Sequence, residues 1–163
     1  MKPEDVLKLT EGFLSAIDKM KKSYVAVGLP NETASSRVYG NGLTVLQNGA
    51  HHEFGTEKVP QRSFVRLPFI VKQKDMKEYV QKMMNAVFEG KYTTEKALGL
   101  VGKKAENIII DAFQTGCWGQ WPPLKEATKR AKAKRVGAKR SDMILVDTTV
   151  LESSINYIVR NGV

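Results

Sequence analysis

Two long stripes of apolar residues in the middle of the chain constrain its fold more than any other feature. In each stripe the apolar positions recur at intervals of three and four residues, which is the period of a helix face packed against a core. The first stripe contains Met76, Tyr79, Val80, Met83, Met84 and Val87, and the second contains Ala97, Leu98, Val101, Ala105, Ile108, Ile109, Ala112 and Phe113. Gly90 and Gly116 follow the stripes, where a glycine favours the end of a helix. The sequence therefore predicts two consecutive amphipathic helices.

The segments on either side of these helices predict a mixed fold. A helical pattern covers residues 6–20, and the alternating pattern of residues 23–29 predicts a strand after it. Residues 43–54 predict a short helix ended by a glycine, with a strand as the alternative, and residues 155–160 predict a final strand. Residues 56–68 contain two prolines and are predicted as a loop. We expect a single α+β domain spanning the 163 residues, with a small antiparallel sheet packed against several helices.

Basic charge is concentrated in one part of the chain. The chain has 26 Lys and Arg against 17 Asp and Glu, a net charge of +9. Residues 123–140 hold eight of the cations and one acid, so this stretch carries +7 and the rest of the chain +2. We expect a basic, mobile loop around residues 125–142, with a helix over residues 125–134 as the alternative. Such a stretch suits DNA phosphates or, as we favour, an acidic protein surface, and the candidate contacts are Lys129, Arg130, Lys132 and Arg135.

Signals for a membrane span or for export are missing. No run approaches the roughly 18–20 apolar residues of a membrane span, and the N-terminus lacks the apolar segment of a secretory signal. Cys117 is the one cysteine, which excludes an internal disulfide and a cysteine-based zinc site. We expect a protein that works in a reducing compartment and has no membrane partner.

Patterns for catalysis are missing as well. The two histidines, His51 and His52, are adjacent, so their side chains point to different faces of a helix or strand and do not form a zinc-binding pair. Cys117 has no base near it in sequence, and neither a nucleophile elbow nor a phosphate-binding glycine loop occurs. We therefore predict no catalytic residues, no metal and no cofactor. A metal-dependent enzyme that uses His51 or His52 remains the enzymatic alternative.

Two blocks of sequence resemble a known family. The first block has the letters AHHEFGT at residues 50–56 and VPQRSF at residues 59–64. The second has WPPL at residues 121–124 and ILVDTTVLESSI at residues 144–155. They are similar, in the same order, to the "His-x-Phe-Gly-Thr … Ile-Pro-x-Arg-x-Phe" and "Trp-x-Pro-Leu … Leu-x-Asp-Thr-Gly-x-Leu-x-x-Ser-Ile" blocks of tailed-phage virion-morphogenesis proteins, the tail-completion or minor tail-component proteins. Thr149 stands where that pattern has glycine, so we expect a differently built turn there.

The resemblance implies a structural, non-enzymatic protein of the phage neck, made in the host cytoplasm and incorporated into the virion. It implies a ring of subunits, typically six, around the DNA channel. The implied neighbours are a head-closure or connector protein on one side and the tail terminator or tail tube on the other. A small nonspecific DNA-binding module that uses the basic stretch is the alternative.

The chemistry of the two blocks leaves the place of their large side chains open. The Arg62 guanidinium is planar and can donate several hydrogen bonds. Pro60 restricts the backbone of its loop, and Gly55 allows it unusual conformations. Such a loop suits a clamp between subunits, or an intramolecular loop with Phe54 and Phe64 in the core. A tryptophan before two prolines is likewise an anchor for a core or an interface. The candidate interface residues are Phe54, Gly55, Pro60, Arg62, Phe64 and Trp121.

Overall fold

The computed structural model describes residues 3–30, 38–40, 42–136, 141–145 and 149–161. Within these ranges the elements are, in chain order, α1 (Pro3–Lys21), β1 (Ser23–Gly28), α2 (Val45–Phe54), α3 (Arg66–Val71), α4 (Gln73–Phe88), α5 (Thr94–Thr115), α6 (Glu126–Val136), α7 (Val150–Ser153) and β2 (Asn156–Asn161). The two strands pair as an antiparallel sheet, which confirms the predicted α+β class. Among the described helices, none combines the length and the apolar character that a membrane crossing needs.

The chain groups into two compact units. Unit 1 contains the described residues of Met1–Ala26, Lys74–Ala105 and Tyr157–Val163, and unit 2 contains those of Val27–Gln73 and Glu106–Asn156. The boundaries fall within β1, α5 and β2 and next to the start of α4.

Unit 1 is built from helix faces that the apolar periodicity predicts. Its buried apolar cluster contains Met83 and Val87 of α4 and Ala97 of α5, with Met20 of α1 packed against them. The rings of Phe13 and Phe88 contact each other nearer the surface, with centroids 5.1 Å apart. Helices α4 and α5 meet through the stripes that predict them, whereas Phe13 and Leu14 of the α1 pattern are exposed. Local sequence pattern therefore accounts for the pairing of α4 with α5.

Unit 2 has a larger, aromatic core. Its buried apolar cluster contains Val45, Phe64, Ile109, Ala112, Phe113, Cys117, Trp121, Leu151 and Ile155. The Phe113 ring meets those of Phe64 and Trp121 edge-on, with centroids 5.6 Å and 5.7 Å away. Such aromatic pairs add to the free energy of burial. This core joins residues from α2, α5 and α7 and from the segments between them.

A left-handed turn connects α5 to the second of the two resembling blocks. Residues 116–119 have φ values of 62°, 54°, 53° and 79° in succession. Two of the four, Cys117 and Trp118, are not glycine, and a left-handed backbone costs such residues about 1–2 kcal/mol each. Hydrogen bonds from Cys117 N to the Ala112 carbonyl (2.7 Å) and from Trp121 N to the Gly116 carbonyl (3.2 Å) close the turn. It brings Trp121 back onto the core.

The predicted helix over residues 43–54 is present as α2. Thr44 caps it, because Gln47 N donates to Thr44 Oγ1 (3.1 Å) and Thr44 N donates to Gln47 Oε1 (3.0 Å). This reciprocal pair is a capping box, which a strand cannot form. The helix therefore forms in preference to the alternative strand.

Helix α3 lies where the sequence predicts a loop, and α6 corresponds to the helical alternative for the basic stretch. Helix α3 occupies the end of the predicted loop 56–68, and its Pro68 is tolerated because first-turn N–H groups have no intrahelical partner. Helix α6 replaces most of the expected basic loop around 125–142, since alanines favour helix and Glu126 pairs with Lys129 (3.0 Å) one turn later. The part of that expectation that falls on residues 137–140 lies outside the described residues.

The residue before α7 has a backbone conformation that glycine favours. Thr149 has φ 58° and ψ −1°, which is left-handed. Threonine thus adopts a left-handed conformation at this position, and residues 146–148 before it lie outside the described residues, so the expectation of a differently built turn stays a prediction.

Candidate functional site

The Glu53 carboxylate organises the first of the two blocks. Glu53 is buried near the end of α2, and its carboxylate accepts hydrogen bonds from Ser63 Oγ (2.7 Å), Val65 N (2.9 Å), Arg66 N (3.3 Å) and Arg66 Nε (2.8 Å). Ser63 Oγ in turn accepts from Leu67 N (3.2 Å). These bonds hold residues 63–67 against the end of α2.

The same contacts determine the charge of Glu53. Burial alone would raise its pKa, but hydrogen bonds from Arg66, Ser63 and the backbone N–H groups of Val65 and Arg66 lower it below the ordinary value. The carboxylate is therefore ionised at neutral pH and forms an ion pair with Arg66. Its hydrogen bonds join parts of the protein, which is a structural use of a buried charge.

Arg62 joins the two blocks. Its side chain is buried, and Nε donates to the Pro122 carbonyl (3.0 Å) while Nη2 donates to the Pro123 carbonyl (3.2 Å). A second bond runs in the opposite direction, from Trp121 Nε1 to the Ser63 carbonyl (3.0 Å). Segments about sixty residues apart in sequence are thus held together by side chains that each reach the other segment's backbone.

The loop between the two ends of the first block is closed by its own hydrogen bonds. Gly55 ends α2 at φ 77°, and a Cβ there would lie 3.1 Å from Gln61 N, so glycine suits both the conformation and the space. Thr56 N donates to the Val59 carbonyl (2.9 Å), and Thr56 Oγ1 accepts from Val59 N (3.0 Å). Pro60 follows and is exposed.

An exposed aromatic ring lies beside the hydrogen-bonded frame that Glu53, Arg62 and their partners form. Phe54, the last residue of α2, is 65% exposed, and Ile70, on α3, is 68% exposed. The Arg66 guanidinium lies 4.9 Å from the Phe54 ring centroid while its Nε donates to Glu53. Because Arg66 and Ile70 are four residues apart on one helix, they share a face. We call these three side chains the Phe54 surface.

The histidines and the cysteine have different surroundings. His51 is exposed, whereas His52 is half-buried and its Nδ1 has no hydrogen-bond partner among the described residues. Burial, then the positive charges of Arg62 and His51, lower the pKa of His52 to about 4, so it is neutral at pH 7. Burial raises the pKa of Cys117 to about 11. In the described part of the chain, no three His, Cys, Asp or Glu residues cluster as a metal site would require.

Helix α6 divides the candidate basic contacts. Lys132 is 4% exposed and its Nζ donates to the Met143 carbonyl (2.5 Å), so its prediction as a contact for DNA or an acidic partner is wrong. Lys129 Nζ lies 3.0 Å from Glu126 and 3.7 Å from Asp142. Arg130 is exposed, and the side chain of Arg135 lies outside the described residues.

No protein-family model, curated protein or solved structure matches this chain. The function is therefore inferred from the geometry of the site and from the two resembling blocks.

The structure separates the six candidate interface residues into two groups. Arg62, Phe64 and Trp121 are buried within the chain, which corresponds to the intramolecular alternative for these three. Phe54 and Pro60 are exposed, and Gly55 forms the turn between them. Phe54 thus differs from Phe64, although the intramolecular alternative places both rings in the core.

Glu53, Ser63 and Arg66 belong to the site but are not among the sequence candidates. Their role depends on a carboxylate that meets groups ten to thirteen residues away. The only signal in the sequence is their place inside or beside the first block, where an acid lies between His52 and Phe54.

Proposed function

We propose that this protein is a structural, non-enzymatic component of the neck of a tailed phage, a tail-completion protein that assembles as a ring around the DNA channel. The resemblance of the two blocks to that family is the starting point. The observation that carries the proposal is that these blocks meet in one hydrogen-bonded frame, which holds an exposed aromatic ring at its surface.

The meeting of the two blocks supports a fold shared with the family they resemble. Arg62 and Ser63 of the first block bond to Pro122, Pro123 and Trp121 of the second. Hydrogen bonds between two distant segments fix how those segments pack, because each segment depends on the other for its partners. A pattern made of such residues is therefore expected to accompany a particular fold.

The use of the polar groups supports a structural role. The Glu53 carboxylate accepts four hydrogen bonds from its own chain, and two nitrogens of the Arg62 guanidinium donate to backbone carbonyls. A general acid or base needs a position from which to reach a substrate proton. Here the Glu53 carboxylate and the Arg62 guanidinium form hydrogen bonds that hold the two blocks in place.

The Phe54 surface supports contact with another protein. It combines an exposed aromatic ring, an arginine and an exposed isoleucine, which are residue types typical of the anchors of protein interfaces. Its side chains lie on two helices, and that of Arg66 is held by a hydrogen bond to Glu53, so Arg66 loses little conformational entropy when a partner binds. We propose a neighbouring subunit of the ring as the partner. By the resemblance, a head-closure or connector protein and the tail terminator or tail tube contact the ring's two ends.

The test compares two double variants that remove similar exposed side chains. Phe54→Ala/Ile70→Ala alters the Phe54 surface, and Phe13→Ala/Leu14→Ala removes an exposed aromatic and an exposed aliphatic residue from α1. We expect both to keep the parent's circular dichroism, and only the first to lose ring formation in sedimentation. The first should also fail to restore head–tail joining in extracts that lack this chain.

Two results would contradict the proposal. One is a Phe54→Ala/Ile70→Ala variant that forms rings and joins heads to tails as well as the parent chain. The other is a gene with no capsid, portal or tail-tube genes near it and a purified chain that stays monomeric at all concentrations.

A further inference from the structure

The basic residues of α6 are divided between two faces. Lys132 is buried with its ammonium on the Met143 carbonyl, and Lys129 lies between Glu126 and Asp142. These two cations are engaged within unit 2. They hold the helix in place and are not presented to a partner.

The opposite face of α6 presents a different set. Ala127, Arg130, Ala131 and Lys134 are all exposed, and their spacing of three and four residues places them on one side of the helix. None of the four is acidic, and none is large and apolar. The single acid of the helix, Glu126, pairs with Lys129. We call these four residues the outer face of α6.

We propose that the outer face of α6 binds the phosphate backbone of duplex DNA without reading its sequence. Arg130 and Lys134 supply the positive charge, and the two alanines between and beside them let the helix approach a phosphate closely. Protein interfaces depend on large apolar or aromatic anchors, which this face lacks. Binding to DNA phosphates is instead driven by charge and counterion release. Two cations on a helix face with no bulky side chains can supply part of such a phosphate-binding surface.

This inference extends the proposed function, on which its biological setting rests. In a ring, outer faces repeated around the channel would each supply two phosphate contacts. Contacts to phosphate alone position a duplex without selecting a sequence, and at physiological salt each is weak. DNA could therefore slide past them, whereas a tight, base-specific contact would stop its passage.

The experiment measures binding of the purified full-length chain to two short fluorescent duplexes of unrelated sequence, by anisotropy over a salt series. For the parent chain we expect equal affinity for both duplexes and a linear fall of log K with log salt. Arg130→Gln/Lys134→Gln should reduce the steepness of that line by about 2, since each phosphate contact contributes about 0.9. Lys74→Gln/Lys77→Gln, on exposed positions of α4, removes the same charge and should leave the steepness unchanged.

A second variant adds charge without removing a cation. Ala131→Glu places a carboxylate between Arg130 and Lys134 at an exposed helical position, and we expect it to weaken duplex binding at low salt about tenfold. Circular dichroism checks that each variant is folded.

Four outcomes would overturn the proposal. They are an equal loss of steepness in both glutamine variants, no loss in either, a clear preference for one duplex, and binding to a polyglutamate peptide in place of DNA. Retained ring assembly with no duplex binding would contradict only this inference. Duplex binding by a chain that never forms rings would contradict only the neck proposal.

Discussion

Unit 1 and unit 2 are held together by different kinds of contact. The core of unit 1 consists of side chains from helix stripes, such as Met83 and Val87, and its ion pairs Lys19–Glu95, Lys22–Asp18 and Lys91–Glu89 are exposed at both ends. The core of unit 2 is bordered by buried polar groups, Glu53 and Arg62, that bond to distant segments. Apolar stripes tolerate changes that preserve volume, whereas a buried polar group depends on each of its partners. The two units should therefore respond differently to single substitutions.

The largest effect is expected at Arg62. Arg62→Ala removes two charge-assisted hydrogen bonds and leaves the Pro122 and Pro123 carbonyls without that donor. We expect the free energy of unfolding to fall by about 3 kcal/mol, as measured by urea denaturation. Arg62→Lys, which keeps the charge but loses the planar fork, should recover part of the loss. A fall below about 1 kcal/mol would show that the polar frame contributes little to unit 2.

A steric substitution tests unit 1 in the same way. A Cβ on Gly102 would overlap the Tyr157 ring, whereas one on Gly99 would lie 4.0 Å from Tyr157 Oη. We expect Gly102→Ala to lower the free energy of unfolding by about 2 kcal/mol, because the ring must move. Gly99→Ala should be neutral or stabilising, since alanine favours helix. Equal effects of the two substitutions would mean that packing against Tyr157 does not matter.

The same contrast explains what the sequence could predict. Helices α4 and α5 follow from their own apolar spacing, because each residue's burial depends on neighbours three and four positions away. The partners of Arg62 cannot be predicted in this way, since they are backbone carbonyls about sixty residues away. Every residue has such a carbonyl, so the sequence does not mark which one is the partner. Phe54 and Phe64 are ten residues apart and equally apolar, yet one is 65% and the other 1% exposed. Only the tertiary contacts of unit 2 separate them.

The basic stretch shows that a count of charges does not reveal which cations are exposed. Lys132 and Arg130 lie two residues apart on α6, and a count of charge treats them alike. The helix period puts one against the Met143 carbonyl and the other in solvent. A basic stretch therefore predicts a partner surface only after the helix face is known.

A smaller, pH-dependent effect is expected from His52 in unit 2. Its pKa is lowered from 6.5 to about 4 in the folded protein, so the unfolded chain binds a proton first as the pH falls. Stability should thus decrease between about pH 6.5 and pH 4, with a loss on the order of 1 kcal/mol at pH 5 once solvent screening of the half-buried ring is allowed for. Urea denaturation across this range measures it. His52→Gln should flatten the profile, whereas His51→Gln, which removes only the smallest of the three causes of the lowered pKa, should change it much less; a profile that His52→Gln does not alter would contradict the assignment.

The smallest effect is a gain in stability at Thr149, also in unit 2. Threonine is β-branched, and the left-handed backbone at φ 58° costs such a residue about 1–2 kcal/mol that glycine would not lose. Glycine also gives the unfolded chain more freedom, which offsets about 0.4–1 kcal/mol of the gain. We therefore expect Thr149→Gly to raise the free energy of unfolding by about 0.5 kcal/mol, measured by urea denaturation. Thr149→Ala should give no such gain, because alanine keeps the Cβ that makes φ unfavourable. A loss of stability on Thr149→Gly would show that contacts of the threonine side chain outweigh its backbone strain, and that the glycine of the resembling pattern is not interchangeable with threonine in this chain.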